Sequence, residues 1–276
     1  MLVVAGLGIS RDHVTLGLME LLEKADKVYL DTYTMPIDDD LNRFLGSRFK
    51  GKLVQSTRRL LEDEYIKILE EARERHVIIL IPGDPLIATT HISLIVEAVR
   101  RGIRVKVIPG ISGVVAAMTA TGLSYYKFGR TATIPGPWRH TTPYSTLEVV
   151  YSNMCMEAHT LLLLDIDDYG RQLKPIDGLK ELVRLEKRIG HSVLRDITVL
   201  IVWDAGTEME KVVGYEPKRS FPIYEGRIAS IVVPGRVNRI EAEHVDVLHG
   251  IRLDVKAYER ASAIACKALA TIKDFV

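Results

Sequence analysis

The chain has 276 residues, a length at which one hydrophobic core tends to divide, so two compact units are expected. Hydrophobic residues make up 47% and charged residues 26% of the sequence, which excludes a disordered tail protein or a collagen-like repeat. Lys and Arg number 37 against 36 Asp and Glu, so the net charge of +1 provides no overall field to hold a nucleic-acid backbone. Nucleic acid is therefore not an expected partner.

Neither a membrane span nor a cysteine-based site is expected. No stretch approaches the roughly 18 uninterrupted apolar residues that cross a bilayer. The two cysteines, Cys155 and Cys266, lie in segments of helical periodicity without a CxxC or Cys/His grouping, so neither a disulfide nor a zinc site is expected. A cytoplasmic protein is predicted. The scarcity of Asn and Gln beside abundant charged residues is typical of heat-loving organisms.

In chain order, the first 110 residues alternate short apolar strands with segments of helical period. Strands are predicted at 3–5, 27–30, 53–54, 76–81 and 104–108, and helices at 12–23, 62–73 and 90–101. This alternation predicts a mostly parallel sheet with helices on both faces. Ligands of such sheets bind at the carboxyl ends of the strands. Gly6 and Gly8, the segment Pro82-Gly83-Asp84-Pro85, and Pro109-Gly110 all fall there, so three loops are expected to converge.

From residue 111 the pattern changes. Helices are predicted at 112–120, 146–157, 176–188, 239–248 and 254–272, and strands at 128–134, 160–164, 198–203, 211–214 and 228–233. Strands separated by turns predict a mixed sheet with antiparallel pairs. The expected fold is thus a two-domain α/β protein, with a mostly parallel N-terminal domain at 1–110 and a mixed C-terminal domain at 111–276.

Two glycine-containing turns are candidate sites. Gly6-Leu7-Gly8 has two of the three glycines of a dinucleotide fingerprint and is a weak nicotinamide signature. It is either a tight turn or a place where backbone approaches a nucleoside. After it, two prolines bracket Gly83-Asp84, and Thr89 or Thr90 can cap the following helix, leaving amide donors for an anion. This loop is predicted to be a binding site, with a rigid turn as the alternative.

Four other polar groups have competing interpretations. His91 is expected on a polar helix face, as a capping or packing group or a base. Arg58-Arg59 is interpreted as charged surface. Asp38-Asp39-Asp40 is expected to be a solvated loop, and no metal site is expected. The segment Trp138-Arg139-His140 is either a solvated insertion or the edge of a binding site.

Several segments, taken together, resemble one family. They are Gly6-Leu7-Gly8, Asp31-Thr32-Tyr33-Thr34, Gly83-Asp84-Pro85 with Ala88-Thr89-Thr90-His91, Thr121-Gly122-Leu123, Tyr126-Lys127-Phe128-Gly129 and His159-Thr160-Leu161. In this order they resemble the diphthine synthase family, S-adenosylmethionine-dependent methyltransferases of the tetrapyrrole methylase fold. The likeness runs from residue 2 to about residue 166.

The resemblance implies a cofactor, a substrate and an assembly. S-adenosylmethionine is expected in a cleft between the two domains, contacted by Ile9, Asp84, Ile87, Gly113, Val114, Leu164, Ala205 and Ala229. Small and apolar side chains suit an adenosine that is recognised through backbone groups. The implied acceptor is the amine of the 3-amino-3-carboxypropyl group on a modified histidine of translation elongation factor 2, in diphthamide biosynthesis. A homodimer is expected, and no catalytic residue is assigned.

Two alternatives stay open. Pro109-Gly110-Ile111-Ser112 is similar to the corresponding segment of cobalamin-pathway methylases, so a cobalt-precorrin methyltransferase is the second enzyme hypothesis. The third hypothesis is a nucleoside-binding module that keeps the pocket without turnover.

Overall fold

A computed structural model describes residues 1–167, 169–218 and 225–273. The chain divides into two units, each built on one five-stranded sheet. The first contains Met1–Ala116 with Tyr169 and Gly170, and the second contains Ala117–Asp167 and the chain from Arg171 onward. The expected α/β class, with one parallel and one mixed sheet, is confirmed. The domain boundary at residue 110 stays a prediction.

The first unit is a parallel α/β layer. Its strands are β1 (Leu2–Gly6), β2 (Lys27–Asp31), β3 (Leu53–Ser56), β4 (Val77–Ile81) and β5 (Val105–Ile108). Their order is β3-β2-β4-β1-β5, and every pair is parallel. Its helices are α1 (Leu16–Lys24), α2 (Asp39–Arg48), α3 (Ile66–Glu74) and α4 (Ile92–Arg100), with a 3₁₀ turn at Arg11–His13 and a π-helical turn at Arg59–Asp63.

Both faces of this sheet are covered, because strand side chains alternate between two cores. Val4 and Ile79 share one core with the buried residues of α3 and α4. Val3 and Ile78 share the other core with the buried residues of α1 and α2. The helices cover the two faces of the sheet. The carboxyl ends of all five strands therefore form one edge of the unit, where the connecting loops lie.

Helix α2 was not expected, and the interpretation of Asp38-Asp39-Asp40 as a solvated loop is wrong. Asp38 caps the helix, since its Oδ1 accepts hydrogen bonds from the amides of Asp40 and Leu41 at 2.9 and 3.1 Å. Acidic residues are favoured there because the N-terminus of a helix carries partial positive charge. Burial of Leu41 and Leu45 anchors the helix to the sheet.

The second unit has a mixed sheet. Its strands are β6 (Ala132–Ile134), β7 (Thr160–Leu164), β8 (Val199–Trp203), β9 (Lys211–Tyr215) and β10 (Ala229–Val233), in the order β6-β7-β10-β8-β9. The β6–β7 pair is parallel and the other three pairs are antiparallel. The remaining helices are α5 (Gly113–Ala120), within which the division between the units falls, α6 (Tyr144–Cys155), α7 (Pro175–Arg188), α8 (Arg239–His249) and α9 (Val255–Lys273). Throughout the described ranges, no helix combines the length and apolarity needed to span a bilayer.

The expectation that Cys155 and Cys266 do not pair is wrong. The two residues form a disulfide with a Cα–Cα distance of 4.7 Å, between the end of α6 and the middle of α9. They are 111 positions apart in sequence, and the packing of α9 against α6 brings them together. Local cysteine spacing cannot reveal such a pair, because only the helix packing makes the two sulfur atoms neighbours.

Candidate functional site

The loops after β1 and β4 are joined backbone to backbone. The amide of Gly8 donates to the carbonyl of Gly83 at 3.1 Å, and the amide of Gly83 donates to the carbonyl of Gly8 at 2.9 Å. The φ angles of the two residues are +75° and +76°, in the left-handed region that glycine adopts without strain. The convergence predicted from the strand ends is therefore present in the first unit.

The loop after β5 closes on the same point. A Cβ atom on Gly6 would lie 2.5 Å from the amide nitrogen of Gly110, and one on Gly110 would lie 2.2 Å from the carbonyl oxygen of Gly83. No side chain fits at Gly6 or Gly110 between backbones this close. Gly83 has room for a Cβ atom, but its φ of +76° favours glycine there.

Asp84 fixes this arrangement. Its Oδ2 accepts from the Gly110 amide at 3.1 Å, and its Oδ1 accepts from the Leu86 amide at 2.9 Å. The carboxylate thus ties the loop after β4 to the loop after β5. The next residues are more open: Ile87 is 40% exposed, and Ala88 has a φ of 57°.

The other predicted residues of the first unit flank these glycines. Ile9 is buried behind the first turn. Gly113 and Gly83 face the same sulfur atom, since the Sδ of Met35 lies 3.8 and 3.9 Å from the positions of their missing Cβ atoms. The amide of Val114 donates to Ser112 Oγ at 3.2 Å. Backbone and one thioether therefore line the space beside Gly83.

Sequence reasoning missed the role of His13. Its Nδ1 accepts hydrogen bonds from the amides of Ile9 and Ser10, both at 3.3 Å, and so shapes the turn after Gly8. The Ser10-x-x-His13 spacing, which resembles a capping box at the start of a short helix, was the available signal.

The three predicted residues of the second unit lie at one end of its sheet. Strand β7 ends at Leu164, β8 ends two residues before Ala205, and β10, antiparallel to both, begins at Ala229. The side chain of Gln172 pairs with the backbone of Ala229, accepting from its amide at 2.7 Å and donating to its carbonyl at 2.8 Å. That all eight predicted residues contact one cofactor stays a prediction.

The loop at 135–143 is anchored to the same end of the mixed sheet. Trp138 packs over Gly136, where a Cβ atom would lie 2.2 Å from the indole ring. Arg139 Nε donates to Asp165 Oδ2 at 2.8 Å, one residue beyond Leu164. Burial alone would raise the pKa of the Asp165 carboxyl, but Arg139 and the Gly136 amide lower it. Asp165 is therefore held as an anion.

A buried histidine and aspartate adjoin the parallel sheet's edge. Asp31, the last residue of β2, is fully buried, and its Oδ1 accepts from the amides of Tyr33 and Thr34 at 2.8 and 2.9 Å. His91 is only 3% exposed, with Nε2 3.3 Å from Asp31 Oδ2. The expectation that His91 lies on a polar helix face is wrong, because α4 begins after it and His91 packs against the end of β2.

The interpretation of Arg58-Arg59 as charged surface holds for only one of the pair. Arg59 is exposed and pairs with Glu64 at 2.6 Å. Arg58 is half-buried, and its guanidinium carbon lies 5.1 Å from the centre of the Tyr33 ring. The sequence offered no periodicity to separate them, because a π-helical turn begins between the two residues.

Comparison with known proteins gives consistent matches. The sequence profile of the family Tetrapyrrole (Corrin/Porphyrin) Methylases matches residues 1–216. A diphthine synthase from Aeropyrum pernix is 36% identical over 248 residues, covering 87% of this chain and 84% of that protein. One from Staphylothermus marinus is 41% identical over 217 residues, covering 77% and 80%.

Solved structures agree on the fold. A conserved hypothetical protein from Aeropyrum pernix K1 superposes with a TM-score of 0.86 at 32% identity, covering 98% of this chain and 97% of that one. A crystal structure of diphthine synthase superposes with a TM-score of 0.78 at 24% identity, covering 96% and 100%, a likeness of fold alone.

Proposed function

The chain belongs to the tetrapyrrole methylase family and, within it, to the diphthine synthases, and from this we propose its cofactor and its substrate. It is a methyltransferase. We propose that it uses S-adenosylmethionine and methylates the amine of the 3-amino-3-carboxypropyl group on a modified histidine of translation elongation factor 2. The observation that carries the proposal is identity above 30% to diphthine synthases over most of their length.

The glycine turns of the first unit fit the proposed cofactor. A nicotinamide fingerprint places three glycines in one turn, whereas here Gly6, Gly83 and Gly110 come from three different strands. Beside Gly83 and Gly113 the surfaces are backbone and the Met35 sulfur, which suit an adenosine bound through backbone groups. S-adenosylmethionine supplies a methyl group already activated by a positively charged sulfur.

The residues that we propose to contact the cofactor are Ile9, Asp84, Ile87, Gly113, Val114, Leu164, Ala205 and Ala229. The chain has to align the acceptor amine and exclude water, and these demands need rigid loops more than acid–base groups. Asp84 supports this role because it locks two loops to each other.

We further propose a cytoplasmic homodimer from a heat-loving organism. The small-residue helix α5 and the second unit are the proposed region of close packing, since a partner would fix domains that otherwise move. The disulfide is compatible with this location, because intracellular proteins of hyperthermophiles often contain such bonds. Light scattering at micromolar concentration should give twice the 31.0 kDa chain mass, and a monomer would contradict the dimer.

One assay tests the function against its alternatives. Purified protein is incubated with radiolabelled S-adenosylmethionine and elongation factor 2 that carries the precursor side chain. Label should enter this factor, and neither the unmodified factor nor a corrinoid acceptor should be labelled. Label in the corrinoid would support the cobalt-precorrin methyltransferase. Tight S-adenosylhomocysteine binding without label in any acceptor would support the nucleoside-binding module.

A further inference from the structure

Five polar residues form a cluster at the carboxyl edge of the parallel sheet, and we call Asp31, Tyr33, Arg58, Glu62 and His91 the Tyr33 cluster. The ring centres of Tyr33 and His91 are 6.4 Å apart, and Arg58 lies over the Tyr33 ring. Asp31 ends β2 and Tyr33 follows it, Arg58 and Glu62 follow β3, and His91 precedes α4, so three separate segments form the cluster.

Four hydrogen-bonding atoms of the Tyr33 cluster have no aligned partner. Arg58 Nε and both ring nitrogens of His91 are buried without an aligned hydrogen bond, and so is Tyr33 Oη, which interacts with Glu62. Of the six such side-chain atoms in the part of the chain that the structure describes, these are four. The 3.3 Å approach of His91 to Asp31 lacks hydrogen-bond alignment. Buried polar groups are normally paired, so four convergent exceptions point to a ligand that pairs them.

Local structure holds these groups in place. Asp31 is fixed by the amides of Tyr33 and Thr34. Glu62 lies in the π-helical turn and accepts from Thr90 Oγ1 at 3.1 Å, which connects that turn to the segment before α4. Single π-helical turns are frequently found at functional sites. The unused groups are thus rigidly presented.

Charge indicates what the ligand is. Arg58 carries a positive charge, Asp31 and Glu62 carry negative charges, and burial, with these two carboxylates, raises the pKa of the Tyr33 hydroxyl, so that it stays a neutral donor. A ligand with both a carboxylate and an amine would match this mixture, since guanidinium recognises carboxylates and carboxylates attract ammonium groups. Met35 is two residues after Tyr33, and its Sδ lies 3.9 Å from the position of the missing Gly83 Cβ, so the segment that carries Tyr33 passes beside the glycine turns.

We propose that the Tyr33 cluster is the subsite for an α-amino-acid group, with Arg58 and Tyr33 donating to its carboxylate and His91 accepting from its amine. The inference rests on the proposed function, because the 3-amino-3-carboxypropyl group of the acceptor has this chemistry. The methionine end of S-adenosylmethionine also carries an amine and a carboxylate. The acceptor is the source we argue for, since the glycine turns already provide the surfaces proposed for the cofactor.

The test measures binding of two pairs of probes by calorimetry. The first pair is a peptide with the 3-amino-3-carboxypropyl-histidine side chain and the same peptide with a 3-aminopropyl group, which lacks the carboxylate. The second pair is S-adenosylhomocysteine and methylthioadenosine. Wild-type protein should bind the carboxylated peptide about tenfold or more tightly than its counterpart, as expected for a charge-assisted contact.

Arg58→Ala should abolish this preference, whereas Arg58→Lys, which keeps the charge but not the fork of donors, and Tyr33→Phe should reduce it, with melting temperatures confirming folding. Arg59→Ala, one residue away and exposed, is the matched control and should keep it. If Arg58→Ala instead removes the preference for S-adenosylhomocysteine over methylthioadenosine, the subsite serves the cofactor.

If both preferences survive in folded Arg58→Ala and Tyr33→Phe, the subsite is refuted. Labelling of elongation factor 2 by the wild-type protein is scored separately. That labelling can succeed while the subsite fails, so the two failures are distinguishable.

Discussion

Glu241 and His159, 82 residues apart, meet in a buried hydrogen bond of 2.9 Å between Oε1 and Nε2. The Gly235 amide donates to Nδ1 of the same ring, so the proton of the neutral imidazole lies on Nε2. Lys127 Nζ donates to the other carboxylate oxygen at 2.7 Å. Burial alone would raise the pKa of Glu241, but the His159 and Lys127 hydrogen bonds lower it to about 2. Burial lowers the pKa of His159.

The pKa shifts of Glu241 and His159 predict that the protein loses stability in acid. The pKa of Glu241 is lowered from 4.5 in the fold, so its contribution is complete above about pH 4.5 and is lost as the pH falls towards 2. Protonation of His159 in the unfolded chain adds a loss below about pH 6.5. Thermal unfolding between pH 7 and pH 2 should show the melting temperature falling in these two windows.

Glu241→Gln tests the contribution of the Glu241 carboxylate to stability. It should lower the free energy of unfolding by about 3 kcal/mol at pH 7, and its difference from the wild type should shrink as the pH approaches 2. Glu243→Gln, on the exposed side of the same helix, is the control and should be nearly neutral. A constant difference at every pH would contradict the assignment.

Gly110→Ala should destabilise the protein by about 1–3 kcal/mol or more, because its Cβ atom would overlap the Gly83 carbonyl. Gly46→Ala is the matched change, since nothing lies within 4 Å of that Cβ and the residue is in α2. It should stabilise the protein by about 0.5–1 kcal/mol. Denaturant unfolding gives the free energy of unfolding of both variants. Equal changes in this free energy would refute the close approach of Gly110 to Gly83.

Asp84→Ala should weaken S-adenosylhomocysteine binding by about tenfold, since it frees the amides of Gly110 and Leu86 and loosens two loops. Asp84→Asn keeps one acceptor oxygen, so its affinity for S-adenosylhomocysteine should lie between those of the wild type and Asp84→Ala. Calorimetric titration measures the affinity, and a melting temperature within a few degrees of wild type shows that the fold persists. Unchanged affinity in Asp84→Ala would count against the loop as part of the cofactor site.

Trp138→Ala with Arg139→Ala should lower methylation of elongation factor 2 through weaker partner binding. Aromatic and arginine side chains are enriched at the energetic centres of interfaces. Arg139 also pairs with Asp165, so each single variant is measured and Arg139→Lys tests the charge alone. Arg188→Ala, exposed on α7, is the control. If the double variant methylates elongation factor 2 at the wild-type rate at subsaturating substrate, the partner docks elsewhere on the protein.

Loss of the disulfide should cost stability. Cys155→Ser, Cys266→Ser or full reduction should lower the free energy of unfolding by about 2–4 kcal/mol, because the bond constrains a long segment of the unfolded chain. Calorimetric melting with and without reductant tests this. If the Cys155→Ser variant melts as the wild type does under both conditions, the bond does not stabilise the fold.

Sequence periodicity was sufficient for most elements and for the convergence of the glycine loops, since parallel strands must end at one edge. It failed at α2, where consecutive acidic residues at 38–40 outweighed the helical spacing of Leu41 and Leu45. The proximity of Tyr33 and Arg58 could not be predicted from the sequence either. They follow different strands, and no rule of spacing relates side chains that only the order β3-β2-β4 makes neighbours.

The Cys155–Cys266 bond also changes the connectivity of the molecule. It closes a covalent ring from α6 to α9, which contains β7, β8, β9 and β10. A protease that cuts once inside this ring produces no separable fragment, because both new ends remain attached through the two sulfur atoms. The nicked protein would run as an intact chain on a gel until a reductant is added, so proteolytic damage between Cys155 and Cys266 stays hidden under oxidising conditions.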